Sequence, residues 1–283
     1  FESSEDKSSD EIDWGKYDSK FYAFPPGPAP VTSDEPDVNV SIFEAIANEL
    51  ELTFDNVFYI GPLRAEPRRV YVTSGETPQD VGLRGERSVD VLKSAGGDAE
   101  LAPRLFEKVS HWLKKFDMAV DVNLRELTDG YFFVELTNPY TKVPVNLADT
   151  GFGGSQVLPV IVQGFYQSPR SVLLLEQPEI HLHPRSQATL GDLFIDIAKD
   201  NKRLIVETHS EHMISRIQRR IAEGAVKRED VAIYYFNPSE GGTQVSEIKL
   251  NEVGQFIDEG LPENFFAEGY IESMEHLKAI ASK

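Results

Sequence analysis

An apolar run near the middle of the sequence is followed at once by residues that could perform chemistry. Residues 172–175 are apolar, too short a run for a helix and typical of a buried strand in a parallel sheet. The polar residues that come next are Glu176, Gln177, Glu179, His181 and His183. Since α/β sheets bind ligands at the carboxyl ends of their strands, Glu176 is predicted to lie at a ligand edge. A carboxylate there can hold Mg²⁺, and the next residue can contact the water that attacks a γ-phosphate. A buried strand without chemistry is the plain alternative.

Two further motifs carry polar groups toward the same predicted edge. Residues 203–207 predict a second buried strand, which ends in Thr208-His209-Ser210. Residues 149–156 are rich in glycine and precede a helix predicted over residues 157–165. Glycines let backbone N–H groups approach phosphate oxygens, and the amino terminus of a helix favours an anion. A simple turn before a buried helix would look the same, so this motif gains weight only from its order with the other two.

The elements that must position these motifs alternate regularly from residue 150 onwards. The predicted order is loop, helix, strand, helix, strand, helix and strand, which is typical of a parallel α/β fold. Pro184 suits the first turn of the helix between the two strands. Apolar spacing also predicts a strand over Val57–Ile60, one amphipathic helix from Leu101 to Phe116, strands at 131–136 and 143–147, and a terminal hairpin at 231–236 and 243–250.

Composition and pattern divide the chain into five segments. Residues 1–38 are acidic and rich in proline, a composition that favours a linker or an insertion. Residues 39–69 begin the core, with a helical pattern before the first strand, and residues 70–148 are predicted to form a lid or arm. Residues 149–250 hold the three motifs, and residues 251–283 form an acidic tail that is predicted to be helical.

Composition also excludes several classes of protein. A formal net charge of −19 argues against a chain that coats nucleic acid with its whole surface. The absence of cysteine excludes disulfides and thiolate chemistry. No apolar run approaches the roughly 18 residues of a membrane span, and the first residues do not resemble a signal peptide, so we expect a cytoplasmic protein without a membrane partner. Local basic clusters could still contact phosphate, although a solvated helix face is the simpler interpretation of the one at 216–228.

The three motifs, in this order, resemble the ABC-type ATPase family. The residues that carry the resemblance are Gly153-Gly154-Ser155, the strand ending in Glu176-Gln177-Pro178-Glu179 with His181-Leu182-His183-Pro184, and the strand ending in Thr208-His209-Ser210. The resemblance covers about residues 55–250. More narrowly, the chain is similar to bacterial AAA-like ABC ATPases related to chromosome-maintenance and overcoming-lysogenization-defect proteins, which Tyr59–Arg64 and Gly254–Phe266 also resemble. It implies an α/β fold: an ABC-ATPase-like sheet with flanking helices and a helical/β lid insertion, incomplete without an upstream P-loop lobe.

The same resemblance assigns roles to the candidate residues, with ATP and Mg²⁺ as cofactors. Glu176 would support the metal. The catalytic residues would be Gln177 at the general-base position, Glu179, and His209, which would sense the γ-phosphate. The cofactor-binding residues would be Gly153, Gly154 and Ser155 of the signature motif and His181 and His183 of the D-loop.

The resemblance also implies partners. In this family the signature motif of one subunit closes over the nucleotide held by another, so we expect a homodimer or a higher oligomer formed through ATP. The assembly would switch an effector, such as a nuclease or a toxin, in phage defence or DNA repair, with DNA as a further candidate partner. The effector is inferred by analogy.

The sequence departs from the family pattern in two places. No Gly-x-x-x-x-Gly-Lys-Ser/Thr occurs in the 283 residues, so we expect an upstream lobe or a companion chain to supply the P-loop, and this chain alone to be inactive. Gln177 stands where the family has a catalytic glutamate, and an amide cannot accept a proton as a carboxylate does. Three explanations stay open: a natural variant with slow turnover, an introduced substitution that traps the ATP state, or transfer of the base role to Glu179.

Other functions fit parts of the pattern. A non-hydrolysing scaffold that keeps an ATPase-like surface for assembly is the main alternative, since both departures allow it. A zinc site built from His181, His183, His209, His212 and Glu179 is a weaker one. A DNA-binding module without ATP chemistry is disfavoured by the net charge.

Overall fold

A computed structural model of the chain describes residues 54, 56–257, 278 and 280. The first half contains β1 (Val57–Ile60), β2 (Tyr71–Val72), α1 (Ser88–Ala95), α2 (Leu101–Lys115), β3 (Asp121–Thr128), β4 (Tyr131–Thr137) and β5 (Pro144–Asn146). The second half contains α3 (Phe152–Tyr166), β6 (Val172–Glu176), α4 (Pro184–Lys199), β7 (Arg203–Glu207), α5 (Glu211–Ala222), β8 (Tyr234–Ser239) and β9 (Gly242–Glu247). The fold is therefore mixed α/β, and the predicted alternation from α3 to β8 is confirmed.

A three-stranded sheet with the order β1-β6-β7 forms the centre of the fold. β6 and β7 run parallel, with Val172 opposite Arg203 and Glu176 opposite Glu207, and α4 provides the crossover between them. The helix begins as predicted, because Pro184 occupies its first position and His183 caps it. Both strands therefore end at the same edge, as the sequence predicts.

A second, antiparallel sheet has the order β2-β4-β3, with β5 paired to β4. Its longest strand, Asp121–Thr128, was not predicted. Polar residues dominate that strand and only Val122 within it is buried, so it has no apolar face that a pattern search would detect. The pairing with β4 holds it in place along seven residue pairs.

The helices of the predicted lid share the core of the later lobe. Leu105, Val109 and Leu113 of α2 belong to the same buried cluster as Ile161 of α3 and Leu193 of α4. Two acidic residues, one in α4 and one directly after it, strengthen this contact. Asp196 accepts hydrogen bonds from Lys108 and from the indole of Trp112, both at 2.9 Å, and Asp200 accepts from Arg104. The segments before and after residue 148 therefore share one buried cluster, and the division into a lid and a later lobe at this residue stays a prediction.

Three sequence predictions need correction. The glycine-rich stretch was expected to be a loop before a helix starting at Val157, but α3 already begins at Phe152 and Pro159 lies inside it. β7 was expected to be buried, yet Ile205 is 63% exposed, because it shares the exposed face of the strand with Arg203 and Glu207, while Leu204 and Val206 on the other face are half-buried. The terminal hairpin is present with shifted bounds, and within the described residues β8 pairs only with β9.

Several predicted segments lie outside the described residues. These are the linker at 1–38, the helical pattern at 42–50 and most of the tail at 258–283. Across the part of the chain that is described, no helix is both long and apolar enough to traverse a lipid bilayer.

Gly254 allows the segment after β9 to pack on α5, and this contact can be tested. Gly254 has a φ of +75°, and a Cβ there would lie 2.4 Å from the carbonyl oxygen of Gln218. Gly75 has the same φ, but beyond its own chain neighbours no heavy atom of the described residues lies within 4 Å of its Cβ position. Gly75→Ala should cost about 1 kcal/mol of unfolding free energy from backbone strain alone, whereas Gly254→Ala should cost about 1–3 kcal/mol more because the backbone of α5 must move. Urea unfolding of both variants measures the difference, and equal losses would contradict this packing.

Candidate functional site

Two glutamates stand side by side at the carboxyl edge of the central sheet. Glu176 ends β6, Glu207 ends β7, and the two are direct partners in the parallel register. On the other side of β6, the phenol of Tyr59 in β1 forms a hydrogen bond with the Glu176 side chain. Desolvation, this hydrogen bond and the charges of the two glutamates raise the pKa of Tyr59. The phenol therefore stays protonated and orients the carboxylate of Glu176.

Gln177 adopts a strained backbone conformation directly after this edge. Its φ is +41°, a region that costs a residue with a side chain about 1–2 kcal/mol. The conformation is held by its N–H, which donates to the carbonyl of Glu207 at 2.8 Å, and by its carbonyl, which accepts from Ile180 N–H at 3.2 Å. The residue at the predicted general-base position is thus fixed against the end of β7.

Glu179 connects the turn after β6 to the turn after β7. Its side chain is only 8% exposed, and its Oε1 accepts a hydrogen bond of 2.7 Å from the backbone N–H of His209. The next residue, Ser210, caps α5 by accepting from Met213 N–H, and its hydroxyl donates to Gln187 of α4. His209 itself is exposed at the sheet edge, so a ligand there can reach its imidazole.

The loop of the two predicted cofactor-binding histidines is anchored in the core. Leu182 is 7% exposed, while His181 and His183 on either side of it are exposed. His181 has a φ of +64°, and Nδ1 of His183 accepts from Arg185 N–H at 3.3 Å as the cap of α4. Capping leaves Nε2 of His183 as the ring nitrogen available to a ligand.

The glycine motif, Gly153-Gly154-Ser155, forms the first turn of α3 and lies beside this loop. A Cβ on Gly153 would stand 3.5 Å from Cδ2 of Leu182 and 3.1 Å from Cε of Met118. Ser155 is buried at 5% exposure. The amino terminus of a fifteen-residue helix carries partial positive charge, so the motif can favour an anion here. One edge of the central sheet therefore holds Glu176, Gln177 and His209. The glycine motif instead contacts the loop around Leu182, which follows β6.

Sequence reasoning missed Tyr59, Arg64 and Glu207. Arg64 is 4% exposed, and its Nη1 donates to the carbonyl oxygens of Pro62 at 2.8 Å and Glu176 at 3.2 Å. Glu207 had a detectable signal, because each of the two apolar runs ends in glutamate. Tyr59 and Arg64 lie in a segment that carries part of the family resemblance, but no role could be assigned to them, because their contacts with Glu176 cross more than 100 residues, as the separation of 112 between Arg64 and Glu176 illustrates.

Several basic side chains on or near these elements have acidic partners. Arg69 forms two hydrogen bonds to Asp149, and Arg216 and Arg220 both bind Asp192. Although burial opposes it, hydrogen bonds and charges from the two arginines hold the pKa of Asp192 below its usual value. This agrees with the interpretation of α5 as a solvated, ion-paired face. Within the described ranges, no three His, Asp or Glu side chains gather closely enough to hold a metal ion, so the zinc hypothesis finds no support.

A comparison with known protein families finds a match in the middle of the chain. The family described as AAA ATPase domain matches residues 92–214. This segment is similar to an AAA-type ATPase domain. The matched part of the ATPase domain runs from α1 to the start of α5 and includes the glycine motif, β6, β7 and His209.

Solved structures similar to the chain include heads of SMC ATPases. One, described by ATP-driven dimerization and DNA-stimulated activation of SMC ATPases, shares 16% identity over 52% of this chain and 84% of its own, with a TM-score of 0.40. The Pyrococcus furiosus Smc head bound to the C-terminal domain of ScpA shares 13% identity, and the alignment covers 69% of this chain and 41% of that one, with a TM-score of 0.40. The Thermotoga maritima SMC head shares 10% identity over 56% of this chain and 52% of that one, with a TM-score of 0.37. No curated protein matches the chain.

Proposed function

We propose that this chain supplies one part of a composite ATP site and acts as a nucleotide-driven switch. The observation that carries the proposal is the meeting of Glu176, Gln177 and His209 at one sheet edge inside an AAA-type ATPase domain. Glu176 supports Mg²⁺ there, and the exposed imidazole of His209 contacts the γ-phosphate. ATP and Mg²⁺ are the cofactors of the site.

The second half of the composite site comes from another copy. The glycine motif lies at a helix amino terminus, where it suits a phosphate held by a partner subunit rather than by its own Glu176. Two copies arranged head to tail would then bury two nucleotides, and His181 and His183 would line the same interface. By resemblance, this dimer switches a nuclease or toxin effector in phage defence or DNA repair. DNA is the candidate substrate of that effector.

The exposed edge of β7 supports a P-loop supplied by another segment or chain. β7 pairs with β6 on one side only among the described strands, and Ile205 is 63% exposed while its neighbours are half-buried. An uncovered apolar strand edge is a template for a further strand. A strand added there would bring a following phosphate loop to the edge where Glu176, Gln177 and His209 lie.

Nucleotide binding by the full-length protein tests this proposal. We expect ATP–Mg²⁺ to bind the protein that includes the P-loop segment, or its complex with a companion chain, and not the 283 residues alone. Ile205→Lys should weaken this binding by 10-fold or more, because a charge on the β7 edge opposes strand addition. Val245→Lys on β9 is the matched control, since Val245 is also exposed, at 55%, and should leave binding unchanged. Isothermal titration measures the affinities, and tight binding of ATP by the 283 residues alone would contradict the proposal.

A non-hydrolysing scaffold is the second candidate function, and Gln177 is the observation that favours it. Such a protein would assemble through the same surfaces without using ATP. Sedimentation of the full-length protein with and without ATP–Mg²⁺ separates the two functions: dimerisation that requires ATP supports the switch, and dimerisation that ignores ATP supports the scaffold.

A further inference from the structure

Two buried side chains of opposite charge lie behind the strand ends with polar atoms left unpartnered. Arg64 is 4% exposed, and its Nε and Nη2 form no hydrogen bond with any residue that the structure describes. Glu179 is 8% exposed, and the same holds for its Oε2. Burial lowers the pKa of Arg64, and the charge of Glu179 is the main influence that raises it again. The two groups thus interact electrostatically without a direct ion pair in this structure.

Each of the two side chains already holds backbone groups at the ends of different strands. Arg64 Nη1 donates to the carbonyls of Pro62 after β1, Glu176 at the end of β6 and, at 3.4 Å, Gln177. Glu179 holds the backbone N–H of His209 after β7. Together they contact the turns that follow all three strands of the central sheet.

A buried charge with unfilled hydrogen-bonding capacity is costly, and the attraction between opposite charges grows as water is excluded. We infer that Arg64 and Glu179 work as one positioning pair, which fixes the turn of Glu176 and Gln177 relative to His209. The inference deepens the proposed function, because the turns it joins carry the residues proposed to bind Mg²⁺ and the γ-phosphate. Neither side chain is assigned contact with the nucleotide.

The pairing predicts that a substitution at Arg64 alters the protection of the His209 amide, although Arg64 forms no hydrogen bond with His209. In the full-length protein without nucleotide, Arg64→Met should accelerate hydrogen exchange at the His209 amide by 10-fold or more. Amides of Ile161 and Leu193 in the core should change by less than about 3-fold, which separates this effect from general destabilisation. Arg64→Lys keeps the charge opposite Glu179 and should restore most of the protection at His209. Arg69→Met is the matched control, since Arg69 is exposed and paired on the surface with Asp149, and should change neither set of amides.

A double-variant cycle provides the second measurement. Arg64→Met and Glu179→Gln should each lower the urea midpoint by leaving the other charge buried without a counter-charge. The double variant removes both charges, so its midpoint should lie no lower than that of the less stable single variant. Midpoint losses that simply add, or unchanged exchange at His209 in Arg64→Met, would overturn the pairing. Neither measurement uses ATP. The pairing can therefore be judged even if the nucleotide-binding test fails, and a failure of the pairing does not affect that test.

Discussion

Replacing Gln177 by glutamate is expected to raise ATP turnover by the completed ATPase about 10² to 10⁴-fold, the usual contribution of a general base. The reason is positional. Gln177 directly follows Glu176 at the sheet edge, and its N–H donates to the carbonyl of Glu207 at 2.8 Å, so the new carboxylate would follow a fixed backbone position beside the residue proposed to support the metal. The amide now at this position cannot accept the proton of the attacking water.

Steady-state ATP hydrolysis measures the effect, with ATP affinity measured in parallel. Affinity should change far less than turnover, because the substitution adds a proton acceptor without removing a binding group. Glu179→Gln in the native background is the informative companion variant. If Glu179 has taken over the base role, this variant lowers turnover and Gln177→Glu adds little. If Glu179 only positions His209, Gln177→Glu should raise turnover by the same factor in the native protein and in the Glu179→Gln variant. No acceleration in either background would contradict the missing-base account.

The geometry of Glu179 favours the positioning role. A general base must reach the proton it removes, whereas Glu179 is almost entirely buried and one of its oxygens is occupied by the His209 N–H. Its other oxygen, Oε2, is buried as well and accepts no hydrogen bond from the described residues, and the carboxylate interacts electrostatically with Arg64. Transfer of the base role would require this turn to open. Slow turnover, with Gln177 as its cause, therefore fits the described contacts better.

The central strands could be predicted from the sequence because their signal is local. The runs ending at Glu176 and Glu207 are short, apolar and bounded by polar residues, and both strands end where predicted. Their burial was overestimated for β7, because the coverage of a strand depends on its neighbours and not on its own residues. Ile205 reads as a core residue in the sequence and is exposed at the edge of the described sheet.

The elements and contacts that were missed depend on residues distant in the chain. β3 is polar along most of its length and exists because β4 pairs with it. The helical start at Phe152 allows Gly153 to approach Met118 and Leu182, a contact with two other segments. Tyr59 and Arg64 reach the site from β1 and the turn that follows it, more than 100 residues before Glu176. Motif spacing predicts which residues gather at the sheet edge, but the residues that contact them from β1 follow only from the sheet order.

Replacing Glu176 by glutamine is expected to weaken Mg²⁺-dependent ATP binding by the completed protein on the order of 10²-fold, since charge stabilisation by a bound metal is worth several kcal/mol. The hydrogen bond from Tyr59 orients the Glu176 carboxylate, while no described residue forms a hydrogen bond with the side chain of Glu207. Glu207→Gln is therefore the matched control and should cost 10-fold or less. Titration of ATP at fixed Mg²⁺, repeated with EDTA, measures the Mg²⁺-dependent part.

The pKa of the Tyr59 phenol provides an independent measurement of metal binding at Glu176. Its pKa is raised by desolvation, by the hydrogen bond to Glu176 and by the nearby negative charges, so a divalent cation bound at Glu176 should lower that pKa. NMR observation of the Tyr59 ring during a pH titration, assigned with Tyr59→Phe, should show this decrease when ATP–Mg²⁺ is added to the native protein and lose it in Glu176→Gln. Equal effects of Glu176→Gln and Glu207→Gln on both readings would instead place the metal between the two carboxylates. An unmoved Tyr59 with intact ATP binding would place it elsewhere, because a cation at Glu176 cannot leave a phenol hydrogen-bonded to that carboxylate unchanged.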